Sequence, residues 1–296
     1  MRFGEAASRI SLALERRGAP ATTEVTIRPG EPKRAVLNGA PVRSAEDLRL
    51  DLPTLAFTPD RLAVVKGGPL VRRSYVDRML GRLVPALASL PEDYGRALAQ
   101  RNAALRRARA GVSTLSALVP WTAQLAEMGS RLEAARAELV TVIASGFAGQ
   151  ATRLGLAAAV IAYDARPLTV ESLDSRLERD LERGTTGAGP HLRDYEISAA
   201  GRDLRTFGSQ GEQRTAVLAL TLAEAALLEE SRGEPPLLLL DDVLSELDRE
   251  RRIALLAALP AGGQTIVTAT SAEALPAGAA EPALVVAVTP GDARRA

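Results

Sequence analysis

Cysteine is absent from the 296 residues, histidine occurs once, and lysine occurs only at Lys33 and Lys66. Without thiols there are no disulfides and no thiolate chemistry. A single histidine excludes the common zinc sites and histidine-based catalytic sites. No apolar run approaches the roughly 20 residues that a membrane helix needs, so no membrane partner is expected. No charged-then-apolar leader opens the sequence, and a cytoplasmic protein is the simplest expectation. The lysine scarcity has the sharpest consequence. A P-loop reads Gly-x-x-x-x-Gly-Lys-Ser/Thr, its main chain cradling phosphates while the lysine reaches the β and γ groups. Lys33 stands in Glu31-Pro32-Lys33-Arg34 and Lys66 in Val65-Lys66-Gly67. Neither fits, so these residues contain no Walker A motif.

What is present describes a globular chain of one or two domains, 46% hydrophobic and 25% charged. A net charge of +1 and a pI near 8.1 do not mark a strongly basic nucleic-acid binder. Any such contact must come from a local patch and not from the global field.

Residues 207–248 organise the rest. Leu237-Leu238-Leu239-Leu240 after Pro235-Pro236 reads as a strand buried on both faces. Asp241 and Asp242 follow at its carboxyl end, where ligands sit in open α/β sheets. Paired carboxylates there need a counter-ion, and magnesium beside a nucleotide phosphate is the usual one. Asp241 would hold the ion through water, and Asp242 would orient or deprotonate the attacking water. Upstream, Ser209-Gln210-Gly211 opens a long apolar helix, offering free N–H groups and the positive dipole end to a phosphate. A phosphate-facing turn followed by a strand ending in Asp-Asp is the order of an ATP-binding-cassette ATPase.

The run Gly208-Ser209-Gln210-Gly211-Glu212-Gln213-Arg214-Thr215, then Leu222-Ala223-Glu224, then Leu238 to Asp248, strongly resembles the RecF family of bacterial recombination mediators. The resemblance continues through Gln264 to Thr270, and in the first half through Leu37-Asn38-Gly39, Phe57-Thr58-Pro59-Asp60, Val65-Lys66-Gly67-Gly68-Pro69, Arg72-Arg73, Gln100-Arg101-Asn102 and Gly189-Pro190-His191. It implies an α/β P-loop NTPase of ABC/SMC type, with an antiparallel β subdomain and an inserted helical arm. The P-loop part is missing at the amino end, as though the chain began past it. The domains expected are a first ATPase lobe at 1–68, the arm at 69–189, and a second lobe at 190–296 with signature, Walker B and D-loop.

The resemblance further implies ATP and Mg as cofactors and a homodimer formed on ATP binding. Ser209, Gln210, Gly211, Glu212 and Gln213 would contact ATP held by the other copy. Asp241 and Asp242 would be catalytic, with Asp241 on the metal. Ser245 and Asp248 would form the D-loop, and Thr270 would stand at the switch position. Lys66, Arg72, Arg73 and Arg101 are the candidate DNA contacts, against the plainer reading of solvated helix faces. The implied role is DNA replication, repair and recombination: a clamp on double-stranded or gapped DNA that assists recombinase loading in the SOS response, with partner proteins of the RecF pathway. Whether this chain is an enzyme is left open, and inactivity alone is expected without a P-loop. The alternatives are a non-hydrolysing DNA-binding or decoy subunit, or a transporter-type ATPase subunit.

Local patterns add detail. Ile10–Glu15 and Thr23–Arg28 alternate as half-buried strands, and Arg34–Val42 reads as a hairpin turning at Asn38-Gly39. Pro69 to about Leu177 is helical, broken at Pro85, Pro91 and Pro120. Leu154–Tyr163 is expected as a return strand, Val170–Arg183 as one charged helix, and Pro282–Val288 as a last strand before a frayed tail. Ser245 is expected to cap a helix with Asp248 at its third position.

Overall fold

The structure is a computed structural model that describes residues 4–16, 18–42, 52–245, 247–276 and 281–295. The chain forms two compact units, Met1–Thr54 and Leu55–Ala296.

In the first unit, β1 (Ser8–Arg16), β2 (Ala19–Ile27), β3 (Arg34–Leu37) and β4 (Ala40–Pro41) make an antiparallel meander. Asn38 and Gly39 turn the last hairpin with φ of 49° and 81°, the left-handed pair that a two-residue turn between twisted strands demands. Asn38 Oδ1 also accepts from the Thr22 N–H at 2.8 Å, tying the turn to β2.

β5 (Thr54–Phe57) leads into the second unit, followed by α1 (Ala63–Lys66), α2 (Pro69–Leu83), α3 (Leu90–Arg109) and α4 (Val119–Arg153). Pro69, Pro91 and Pro120 all sit in first turns, where a missing N–H costs nothing and the fixed φ suits the helix. The helical stretch is broken at Pro85, Pro91 and Pro120 as expected: α2 ends at Leu83 and α3 at Arg109, and Pro91 and Pro120 stand in the first turns of the helices that follow. α4 buries Leu125, Leu132, Leu139, Ile143 and Phe147 along one side, the three-and-four spacing of an amphipathic helix.

β6 (Ala159–Tyr163) is shorter than expected, because Leu154–Leu156 are spent closing α4 around Gly155 at φ 80°. The single charged helix expected over Val170–Arg183 is two: α5 (Val170–Asp174), opened by a Thr169–Ser172 capping box, and α6 (Leu177–Arg183). β7 (Tyr195–Ala199) and β8 (Arg202–Asp203) complete an antiparallel sheet in the order β6-β7-β8.

Next come α7 (Leu204–Phe207) and α8 (Gln210–Arg232). α8 is buried on nearly every side from Gln213 to Ala225 and packs along α4; most of this run is apolar, with Gln213, Arg214, Thr215, Thr221 and Glu224 the buried polar exceptions. β9 (Leu237–Leu240), α9 (Arg249–Ala257) and β10 (Thr265–Val267) follow. β9 lies in the middle of a sheet ordered β10-β9-β5 and runs parallel to β10, with Leu240 opposite Val267. Leu238 and Leu240 are buried and Leu237 and Leu239 half-buried, so one face of the strand is sealed more tightly than the other. Arg294 and Arg295, expected as a frayed tail, lie in β12 (Asp292–Arg295), which pairs antiparallel with β11 (Val286–Thr289).

Candidate functional site

The acidic pair sits where its two neighbouring strands converge. Asp241 N–H donates to the Phe57 carbonyl of β5 at 2.9 Å, and Thr268 N–H, just past β10, donates to the Leu240 carbonyl at 2.9 Å. The Thr268 hydroxyl donates to Asp241 Oδ1 at 2.6 Å and accepts from the Asp242 N–H at 3.0 Å. Asp242 has φ 48°, a left-handed conformation that aspartate tolerates better than most residues. Its carbonyl accepts from Ser245 Oγ at 3.0 Å, and its Oδ1 is buried with no hydrogen-bond partner among the described residues. Val243 and Leu244, both fully buried, anchor the turn from below.

The helix after this turn corrects one expectation. Asp248, not Ser245, caps α9, accepting from the Arg251 N–H at 2.8 Å. Ser245 instead braces Asp242, and Glu246, the residue after it, lies outside the described residues. Thr270, the expected switch residue, is exposed; the hydroxyl that meets the acids belongs to Thr268.

The serine turn is exposed and held from behind. Asp203 caps α7 through the Arg205 N–H, and Leu204 plugs the core. Gly208 follows, where a Cβ would fall 2.5 Å from the Leu204 carbonyl oxygen, so only glycine fits. Ser209 caps α8 in a reciprocal box: Glu212 N–H donates to Ser209 Oγ at 3.2 Å, and Ser209 N–H donates to Glu212 Oε2 at 2.8 Å. These contacts hold the Glu212 carboxyl below its ordinary range, and Arg202 pairs with it at 3.3 Å. The box does not use the N–H groups of Gln210 and Gly211, which stand at the positive end of the helix.

Gln213 departs from the expected nucleotide set. Its side chain is buried and its Nε2 donates to the Leu204 carbonyl at 2.8 Å, locking α7 onto α8. Arg251 of α9 reaches the same place: its Nη1 lies 3.8 Å from where a Cβ on Gly211 would be. The serine turn and the cap of α9 are thus neighbours within one chain.

Two of the four cations assigned to DNA are withdrawn from that role. Arg101 is 0% exposed, with Nη1 2.9 Å from Asp180 Oδ2 and 2.8 Å from Thr186 Oγ1. Arg72 is 4% exposed, its fork closed on the Asp194 carboxylate and the Gly67 carbonyl. Neither can present a guanidinium to a backbone phosphate in this fold. Arg73 is half-buried and donates to the Arg193 carbonyl at 2.9 Å, with burial pulling its basicity down. Lys66 alone of the four is exposed.

His191 is structural. Its Nε2 faces the Thr186 carbonyl at 3.1 Å and its Nδ1 the Tyr94 hydroxyl at 2.6 Å. A carbonyl only accepts, so Nε2 carries the proton and Nδ1 accepts from tyrosine. Sequence reasoning passed over Thr268 altogether. The signal for it was its place one residue past β10, since parallel neighbours bring their carboxyl ends to one edge.

No family model matches the chain. It is 35% identical to the DNA replication and repair protein RecF of Myxococcus xanthus (strain DK1622), over 95% of this chain and 77% of that protein. Among solved structures it is similar to the recombination mediator protein RecF-ATP in the RecFOR pathway, with a TM-score of 0.83 and 25% identity over 100% of this chain and 81% of that one. An Smc head bound to the C-terminal winged-helix domain of ScpA shares the fold at a TM-score of 0.55 and 14% identity, over 99% of this chain and 74% of that one. The fold is that of the α/β ATPase heads of the ABC/SMC type, and the chain belongs to the RecF family.

Proposed function

We propose that this protein works in DNA replication and repair as part of an ATP-dependent clamp on double-stranded or gapped DNA, closed between two copies of the chain. The observation that carries this reading is the pairing, in one chain, of an exposed serine turn at the start of α8 with two aspartates at the carboxyl end of β9. The free N–H groups of Gln210 and Gly211 and the positive end of α8 suit a γ-phosphate held by the other copy. Ser209 shapes that turn through its cap, and Gly211 leaves room for close approach. Glu212 supports the turn, and Asp248 and Ser245 fix the segment through which one copy senses the other.

Asp241 and Asp242 fit a hard divalent cation. They are oxygen donors, Asp242 Oδ1 is a buried acceptor without a hydrogen-bond partner among the described residues, and magnesium is commonly held by one or two carboxylates with water and phosphate completing its shell. Bound there, magnesium would neutralise charge on the transferring phosphate. Asp241 would hold the ion there, and Asp242 would orient water and accept its proton. ATP would favour the closed pair and hydrolysis would release it. Assistance to recombinase loading, the SOS response and partners of the RecF pathway belong to the same reading, as does the division into lobes at 1–68 and 190–296 around an arm at 69–189.

The second reading is a DNA-binding subunit of the same family without nucleotide control. Binding of the full chain to gapped duplex DNA, measured across salt with and without ATP and magnesium, separates them. Tighter binding with ATP supports the clamp; salt-dependent binding indifferent to ATP selects the second reading; no DNA binding removes both.

A further inference from the structure

We propose that Thr268 is a positioning residue for the aspartate pair, setting which carboxylate oxygens are free to face a divalent cation; this rests on the reading of Asp241 and Asp242 given above. The hydroxyl has one proton and two lone pairs. Asp242 N–H can only donate and an ionised Asp241 can only accept, so the polarity runs one way, from Asp242 N–H to Thr268 Oγ1 and from Thr268 Oγ1 to Asp241 Oδ1. Two consequences follow from that direction. Asp241 Oδ1 is engaged by Thr268, and Asp241 Oδ2, without a hydrogen bond among the described residues, is left for a ligand. Asp242 is held at φ 48° by bonds to both of its main-chain groups, one from Thr268 and one from Ser245.

The constraint is cross-strand. Thr268 is itself fixed by its N–H bond to the Leu240 carbonyl, and Asp241 by its N–H bond to Phe57. The acids are therefore gripped from β5 on one side and from the end of β10 on the other. Valine at position 268 keeps the β-branched shape of threonine but has no hydroxyl. It frees Asp241 to rotate and deprives the left-handed residue of its N–H partner. Serine keeps the hydroxyl.

The purified full chain is titrated with Mn2+ alone by electron paramagnetic resonance, as wild type, Thr268→Val, Thr268→Ser and Asp241→Asn. Amide exchange at Asp242 and thermal unfolding are followed in parallel. Loss of a partner that orients a ligating carboxylate costs about 10- to 100-fold in metal affinity. Thr268→Val is expected to weaken Mn2+ at least tenfold and speed Asp242 exchange, with unfolding little changed and Thr268→Ser restoring both. Unchanged Mn2+ affinity in Thr268→Val overturns the proposal and leaves the acids as a cation site. Equal loss in the valine and serine variants overturns it too, since bulk and not the hydroxyl would be responsible. Wild type that binds no Mn2+, or Asp241→Asn that binds as well as wild type, overturns the cation-site reading and this proposal with it.

Discussion

Arg101 Nη1 and Asp180 Oδ2 lie 2.9 Å apart with both side chains sealed from solvent, joining α3 to α6 across 79 residues of sequence. Thr122 and Thr186 add hydrogen bonds to the same guanidinium, and the Gly187 N–H donates to the other oxygen of Asp180. A buried pair contributes little net stability against an apolar replacement, but breaking it from one side strands a charge.

Arg101→Ala is therefore expected to destabilise the protein by about 3–5 kcal/mol in urea denaturation. Lys66→Ala, at an exposed position, should stay within about 0.5 kcal/mol. If DNA binding falls in Arg101→Ala while the fold is intact under the same conditions, the structural role assigned here is wrong.

Gly208→Ala puts a methyl group 2.5 Å from the Leu204 carbonyl oxygen, which is main chain and cannot swing away. The variant should lose about 1–3 kcal/mol by overpacking. Thermal unfolding reads this loss, and an unshifted melting curve would show that the turn relaxes freely.

Two substitutions at Ser209 separate its cap from its proposed phosphate contact. Ser209→Ala removes the cap and should cost about 1 kcal/mol of stability. Ser209→Asp keeps a good cap, so stability should hold, but a carboxylate in the path of a phosphate should abolish any ATP-dependent gain in DNA affinity. ATP dependence that survives in Ser209→Asp would remove the turn from nucleotide contact.

His191 gives the protein a pH dependence of known sign. Burial, reinforced by Arg73 and Arg136, lowers its pKa from the ordinary 6.5. A lowered folded-state pKa means that the unfolded chain binds the proton more readily, so stability rises with pH through this range. The contribution is present above the ordinary value and is lost as pH falls through the folded one. Protonation at Nδ1 also sets its proton against the donating Tyr94 hydroxyl. Urea midpoints should fall below about pH 6.5 in wild type, a step that His191→Gln should lack. Equal pH profiles for the two would place the sensitivity elsewhere.

How much was legible beforehand can be argued from particular segments. The hairpin at Asn38-Gly39, the strand at Leu237–Leu240 and the start of α8 at Ser209 each announce themselves through contiguous residues, because turn chemistry, apolar runs and caps are local. The boundary inside Val170–Arg183 was missed because Ser175 and Arg176 close α5 by main-chain hydrogen bonds to the Glu171 and Leu173 carbonyls, and no glycine or proline marks that stop in the sequence. Arginine in a helix reads as a solvated charge until its partner is known. Asp194 and Asp180 turn Arg72 and Arg101 inward, and both lie far away in sequence.

The sequence by itself determined the family, the fold class, the order of serine turn and acidic strand end, and the exclusion of thiol and histidine chemistry. These depend on residue identity and short-range spacing alone. Tertiary structure decided which hydroxyl meets the aspartates, which residue caps α9, and which arginines face solvent. The physical reason is that Thr268 reaches Asp241 only through the parallel register of β10 on β9, and Arg101 reaches Asp180 only through helix packing. Neither register nor packing is written in any one stretch of the chain.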